Sequence, residues 1–113
     1  MLIRKGAAMS SKDFPIPPEN CVDMTEVRAG VDSVDAQLVE LLALRFAYMD
    51  AAARIKTDRG SVRDEARKQQ VLMHVQDAAG NAGIPVEIVA DLWERLVEAS
   101  IAYEFAKWDA NRA

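Results

Sequence analysis

The sequence predicts an all-α fold of three helices, the first too long for a single small globule. Three observations carry this. Apolar residues recur from Val27 to Ile55 at alternating steps of four and three, the spacing of one helical face. Breaks rich in glycine and polar residues fall at "TDRGS" (57–61) and "GNAG" (80–83). No stretch alternates apolar and polar residues as a half-buried strand does.

Residues 1–22 hold three of the four prolines (Pro15, Pro17 and Pro18) and no periodicity, and read as an extended or disordered arm. Met9 is a second candidate start, with the first eight residues then an upstream extension. The opening "MLIRKGAAM" has two basic residues but no apolar core after them, a poor signal peptide. Residues 23–113 form the helical domain.

The first helix spans about Asp23 to Lys56, with Asp23 or Thr25 as its cap. Its stripe is Val27, Val31, Val34, Leu38, Leu41, Arg45, Tyr48, Ala52 and Ile55, apolar or aromatic except for Arg45. The second helix starts near Arg63 or Asp64, where acidic Asp64 and Glu65 favour an N-terminus, and stops at the 80–83 glycines. Pro85 opens the third from its first position. That helix repeats the four-three spacing through Val86, Val89, Trp93, Leu96, Ser100, Tyr103 and Lys107. Met49 and Met73 read as core fillers, Trp93 and Trp108 as core or interface, and His74 carries no role.

A helix of ~33 residues is roughly 50 Å long, whereas a compact chain of this size has a radius of gyration of about 13 Å. Part of the stripe stays wet unless a second chain covers it. The expectation is a homodimer pairing long helices antiparallel; the alternative is a monomer whose first helix kinks near Gly30.

The chain of 113 residues carries a net charge of −4, so no global basic field points to nucleic acid. No apolar run approaches membrane-spanning length. The single cysteine, Cys21, excludes an intrachain disulfide and favours a reducing, cytoplasmic setting. Any anion site must be a local cluster of cations. Arg45 and Lys56 are eleven residues apart, on nearly one face and about 16 Å along the axis. Arg28 lies about 42 Å of helix from Lys56 and cannot share its ligand within one chain. In an antiparallel dimer the partner subunit's Arg28 can. Arg67 follows Asp64 by three residues, close to the same side. Ser100 interrupts the third stripe, and Glu104 follows it by one turn between Ile101 and Trp108 at helical spacing.

Plainer readings stand beside these. Arg45 also fits a register-setting residue of a helical seam, paired with Glu104, in a non-catalytic dimerisation module. Arg28, Lys56 and Arg67 singly fit a solvated surface, and Ser100 a small packing residue.

The run "VRAGVDSVDAQLVELLALRFAYMDAAARIK", followed by "VRDEARKQQVL", resembles the all-helical chorismate mutase family. The spacing Arg28–x16–Arg45–x10–Lys56 is its most specific part, and the likeness covers most of residues 22–108. It implies an intertwined dimer and a small dianionic substrate of the shikimate pathway on the way to aromatic amino acids; the sequence has no metal-ligand cluster or phosphate loop, so no cofactor or metal is expected. It also implies roles. Arg28 matches the arginine lent by the partner, and Arg45 one that binds a substrate carboxylate. Lys56 matches the lysine at a carboxylate and the ether oxygen. Asp64 and Arg67 match the segment lining the ring and its hydroxyl, and Ser100 a serine near a carboxylate. Glu104 falls where many members place glutamine as second donor to the ether oxygen, so it can donate only when protonated. Lys68 stands where typical mutases carry an acid near the ring hydroxyl. "ENCVDMTEVR", "DAAARIK" and "YEFAKW" resemble the related isochorismate-pyruvate lyases, which form salicylate and pyruvate. The implied activity is rearrangement of chorismate to prephenate, with the lyase as alternative. The rearrangement requires no nucleophile.

Overall fold

The computed structural model describes residues 15–113. The first fourteen residues of the arm, Met9 included, lie outside them. The described residues form three α-helices and no strand: α1 (Met24–Ile55), α2 (Glu65–Ala82) and α3 (Val86–Asn111), with 3₁₀ turns at Pro18–Asn20 and Arg59–Ser61. None of these helices is long and apolar enough to cross a membrane. Contacts divide the described residues into two compact units, a first that ends at Ala43 and a second, Leu44–Ala113.

In the first unit Asp23, rather than Thr25, starts α1. Its Oδ1 accepts the Glu26 N–H at 2.9 Å, and Glu26 Oε1 accepts the Val22 N–H at 2.9 Å. One orphan donor of the first turn and the amide just before the cap are thus satisfied reciprocally, a variant of the capping box. Pro15 to Pro18 and Cys21 share an apolar groove of about 410 Å³ with Val27, Val31 and Val34. The helix continues through Gly30. The apolar stripe is exposed: Val31 is 52%, Val34 54% and Leu38 50% accessible.

In the second unit the turn at 59–61 leads to Asp64, whose Oδ1 accepts the Arg67 N–H at 3.0 Å and caps α2. At the other end Gly83 adopts φ 74°, and the Gly83 and Ile84 N–H groups bond back to Gly80 and Ala79. This is a Schellman closure, which needs a residue free of a Cβ penalty in the left-handed region. Pro85 holds ψ at 117°, outside helical values, so it flanks α3 as its cap and Val86 is the first helical residue. The sequence reading placed it one position further in.

α2 packs on α3 through Lys68, Val71, Leu72, Val75, Gln76 and Ala79, an inner face at helical spacing. Val62, Val97 and Ile101 form the buried centre, with Val71, Trp93, Phe105 and Trp108 against it. Within this unit the inner face of α1 is Arg45, Phe46, Met49, Ala52 and Ala53, and Lys56 continues it just past the helix end. Two stripe members, Tyr48 and Ile55, lie off this face and are 67% and 66% exposed in the single chain. On α3 the inner face runs through Val97, Ser100, Ile101, Glu104 and Trp108, while Lys107 points outward. The cause in both helices is period. A four-three stripe repeats every 3.5 residues, and a straight helix of 3.6 drifts ~20° off it per heptad. Met73 is 63% exposed and fills no core here.

Candidate active site

A pocket of about 340 Å³ opens among α1, α2 and α3 of the second unit. Arg45, Lys56, Asp64, Arg67, Ser100 and Glu104 all line it, and Lys68 completes its charged wall. Met49, Val62, Val71, Val97 and Ile101 supply the apolar wall. Six of the seven residues singled out in the sequence therefore meet in one cavity. The seventh, Arg28, belongs to the first unit and is not among the lining residues.

Arg45 donates from Nη1 to Ser100 Oγ at 2.6 Å, and Ser100 donates in turn to Leu96 O at 2.7 Å. The hydroxyl thus gives its proton to the helix and presents a lone pair to the guanidinium. No carboxylate among the described residues pairs with Arg45. Burial, and then the neighbouring Arg67 charge, hold its pKa below the ordinary arginine value. Both influences disfavour a cation that has no anion of its own.

Glu104 is buried at 4% exposure, and its Oε2 lies 2.8 Å from Lys56 Nζ. The ammonium is within ion-pair distance but out of line, so the buried oxygen has an ionic neighbour and no aligned hydrogen-bond donor. Lys56 Nζ also approaches Val62 O at 3.5 Å, a long contact. The seam pair Arg45–Glu104 is not formed, since Glu104 turns to Lys56 instead. Asp64 spends one oxygen on the α2 cap, and Arg67 Nη1 donates to Gln70 Oε1 at 2.6 Å.

Lys68 behaves differently from the other cations. Its ammonium donates to Glu94 at 2.8 Å and to Glu98 at 2.7 Å, and its side chain is only 11% exposed. Arg63 grips Glu98 through two guanidinium bonds, at 2.6 and 3.2 Å. These cations draw the Glu98 carboxyl down to about 2, with the Arg63 hydrogen bond as the first cause and Lys68 the second. Because the folded value lies below the ordinary 4.5, Glu98 contributes stability that is full above that pH and lost as pH falls through about 2. The Tm gap between wild type and Glu98→Gln should be widest at neutral pH and close over that acid range in thermal melts.

The charge of the lining is four cations against two carboxylates, a formal surplus of two positive charges. In a chain whose net charge is −4, this is a local inversion suited to a small dianion. Comparison with known proteins agrees with that chemistry. Residues 27–105 match the family described as chorismate mutase type II. The chain belongs to the chorismate mutase type II family. All seven candidate residues fall inside the matched span. Among curated relatives, the isochorismate pyruvate lyase of Pseudomonas aeruginosa is 25% identical over 95 residues, covering 84% of this chain and 94% of that protein.

Some of this chorismate mutase-type pocket escaped the sequence reading. Lys68 was singled out as a departure, yet nothing placed its ammonium between Glu94 and Glu98. A signal was present, since the two acids stand four residues apart on one face of α3, a turn before Ser100. Met49 and Val97 line the cavity with no signal beyond their helical spacing.

Proposed function

We propose that this chain is a chorismate mutase, converting chorismate to prephenate by binding its compact, chair-like conformer. The observation that carries the reading is Arg45, a half-buried guanidinium with a serine hydroxyl for company and no carboxylate partner among the described residues. A buried cation without a counter-ion is costly unless a ligand supplies one. A dianionic substrate does.

The rearrangement is pericyclic. One C–O bond breaks while one C–C bond forms, and negative charge builds on the ether oxygen. Arg45 holds one carboxylate, with Ser100 fixing the guanidinium. Lys56 is aimed at the ether oxygen, with Glu104 beside its ammonium at 2.8 Å. Asp64 and Arg67 line the ring. The second carboxylate is met by the partner subunit's Arg28 in an antiparallel homodimer, which also covers the exposed Val31, Val34 and Leu38. Confining the flexible enolpyruvyl arm supplies part of the rate, and fixed donors in a water-poor cavity supply more.

Two observations favour a second reading, isochorismate-pyruvate lyase. One is the Pseudomonas relative, matched over nearly its full length. The other is Lys68, a donor where the ring hydroxyl of typical mutase substrates meets an acceptor. The deciding experiment offers purified protein each substrate separately and identifies products by mass. Prephenate from chorismate supports the first reading; salicylate with pyruvate from isochorismate supports the second. Neither product would leave the dimerisation module.

Glu104 provides a further check. A carboxylate only accepts hydrogen bonds, whereas an amide always donates. Glu104→Gln should therefore retain or raise kcat/KM at neutral pH. Glu104→Ala should lose about 10²-fold. A Gln variant as poor as the Ala variant would show that the carboxylate itself is required.

A further inference from the structure

The C-terminal end of α3 makes a set of contacts that the proposed chemistry does not use. Trp108 Nε1 donates to Lys56 O at 3.0 Å, and Arg112 Nη2 donates to the same oxygen at 2.7 Å. Arg112 Nη1 reaches Ala53 O at 3.0 Å and Trp108 O at 3.2 Å. The guanidinium stacks over the Trp108 ring, 4.2 Å from its centroid. These donors close on the last turn of α1, where a helix leaves four carbonyls without intrahelical partners. Two of the four are satisfied here, and the cation lies at the negative end of the helix dipole.

The clamped residue is the one that matters. Lys56 is the first residue after α1, where a chain frays most readily. Its N–H still bonds to Ala52 O at 2.9 Å, and both lone pairs of its carbonyl are taken by Trp108 and Arg112. Its ammonium enters the pocket beside Glu104. We infer that Trp108 and Arg112 are positioning residues, which fix the backbone of Lys56 so that its ammonium stays aimed at the reacting ether. The inference rests on the reading of Lys56 as the donor to that oxygen. Lys56 needs such support because it stands past the end of its own helix. Arg45 sits in a helix interior and is held by Ser100.

A neighbouring contact provides the control. Arg59 forms a two-pronged pair with Asp109 at 2.8 and 3.0 Å and stacks on Phe105. It also ties the segment after α1 to the end of α3, but it touches neither Lys56 nor the pocket. A merely structural role predicts equal effects from either tie.

The test compares Trp108→Phe, Arg112→Ala, Arg112→Lys and Arg59→Ala, each checked for a native melt. In Trp108→Phe and Arg112→Ala kcat should fall about 10- to 100-fold, the scale of a donor misplaced by about 1 Å, with KM changed far less. Arg112→Lys, which cannot fork, should recover only part. Arg59→Ala should keep kcat. In protein labelled with ¹³C-lysine, the Lys56 Cε signal, assigned by its loss in Lys56→Ala, should shift in the Trp108 and Arg112 variants and stay in place in Arg59→Ala. Equal losses in Arg59→Ala and Arg112→Ala, or an unmoved Lys56 signal in the clamp variants, would overturn the inference. If wild type turns over neither chorismate nor isochorismate, the proposed activity fails, and the lysine signal still decides whether the clamp sets Lys56.

Discussion

Arg45→Ala should lower kcat/KM by about 10²–10³ while the helical content and Tm stay close to wild type. The two halves of this expectation have one cause. Arg45 makes a single side-chain hydrogen bond, to Ser100, and lies half-buried with Arg67 as its nearest influence of like sign. Removing it strands no carboxylate, because none is paired to it among the described residues. It also relieves the cost of holding a desolvated cation. The substrate loses a planar, two-pronged partner for a carboxylate, which lysine cannot replace in kind. Arg45→Lys should therefore recover only part of the lost rate. A structural role for Arg45 predicts the reverse pattern, with a lowered Tm and no kinetic defect to find. Steady-state kinetics beside a thermal melt separate the two, and full activity in Arg45→Ala would remove the central assignment.

What could be read from the sequence divides along a physical line. Helix ends were legible because their signals are local. Asp64 caps α2 through a bond to a residue three positions away, and Gly83 ends it through its own backbone freedom. The candidate cluster was legible because Arg45 and Lys56 share one helix, and Ser100 and Glu104 share another at one-turn spacing. Which member faces which was not legible. Arg45 bonds Ser100, and Glu104 turns to Lys56 rather than to Arg45, a choice set by how the helices are rotated against one another and not by any local sequence signal. The inner faces were misread toward the helix ends, where the 3.5-residue stripe had drifted onto Ile55 and Lys107. The clamp of Arg112 on Ala53 and Lys56 spans more than fifty residues and ends on backbone carbonyls. No residue type at those positions advertises an acceptor.

The position of Arg28 leads to the most severe test of the proposed assembly. Lys56→Ala should cost at least 10²-fold in rate, since it removes a donor to the ether oxygen. It also leaves the buried Glu104 carboxylate without its ionic neighbour, so a fall in Tm should accompany the kinetic loss. Arg28→Ala should be similarly inactive, yet with its melt unmoved, because Arg28 is exposed. Each variant alone is defective at every site. Mixed and allowed to exchange subunits, the two should regain activity. In a mixed pair, the pocket of the Arg28→Ala chain keeps its Lys56 and receives an intact arginine from the other subunit. The opposite pocket lacks both. If subunits pair at random, half the dimers are mixed and each holds one complete site, so the recovered rate should approach roughly a quarter of wild type. A chain that completes its pocket alone has no route to this recovery. If the mixture stays as inactive as its parts after exchange has been shown by mass, the arginine is not shared, and the exposed apolar stripe of α1 needs another explanation.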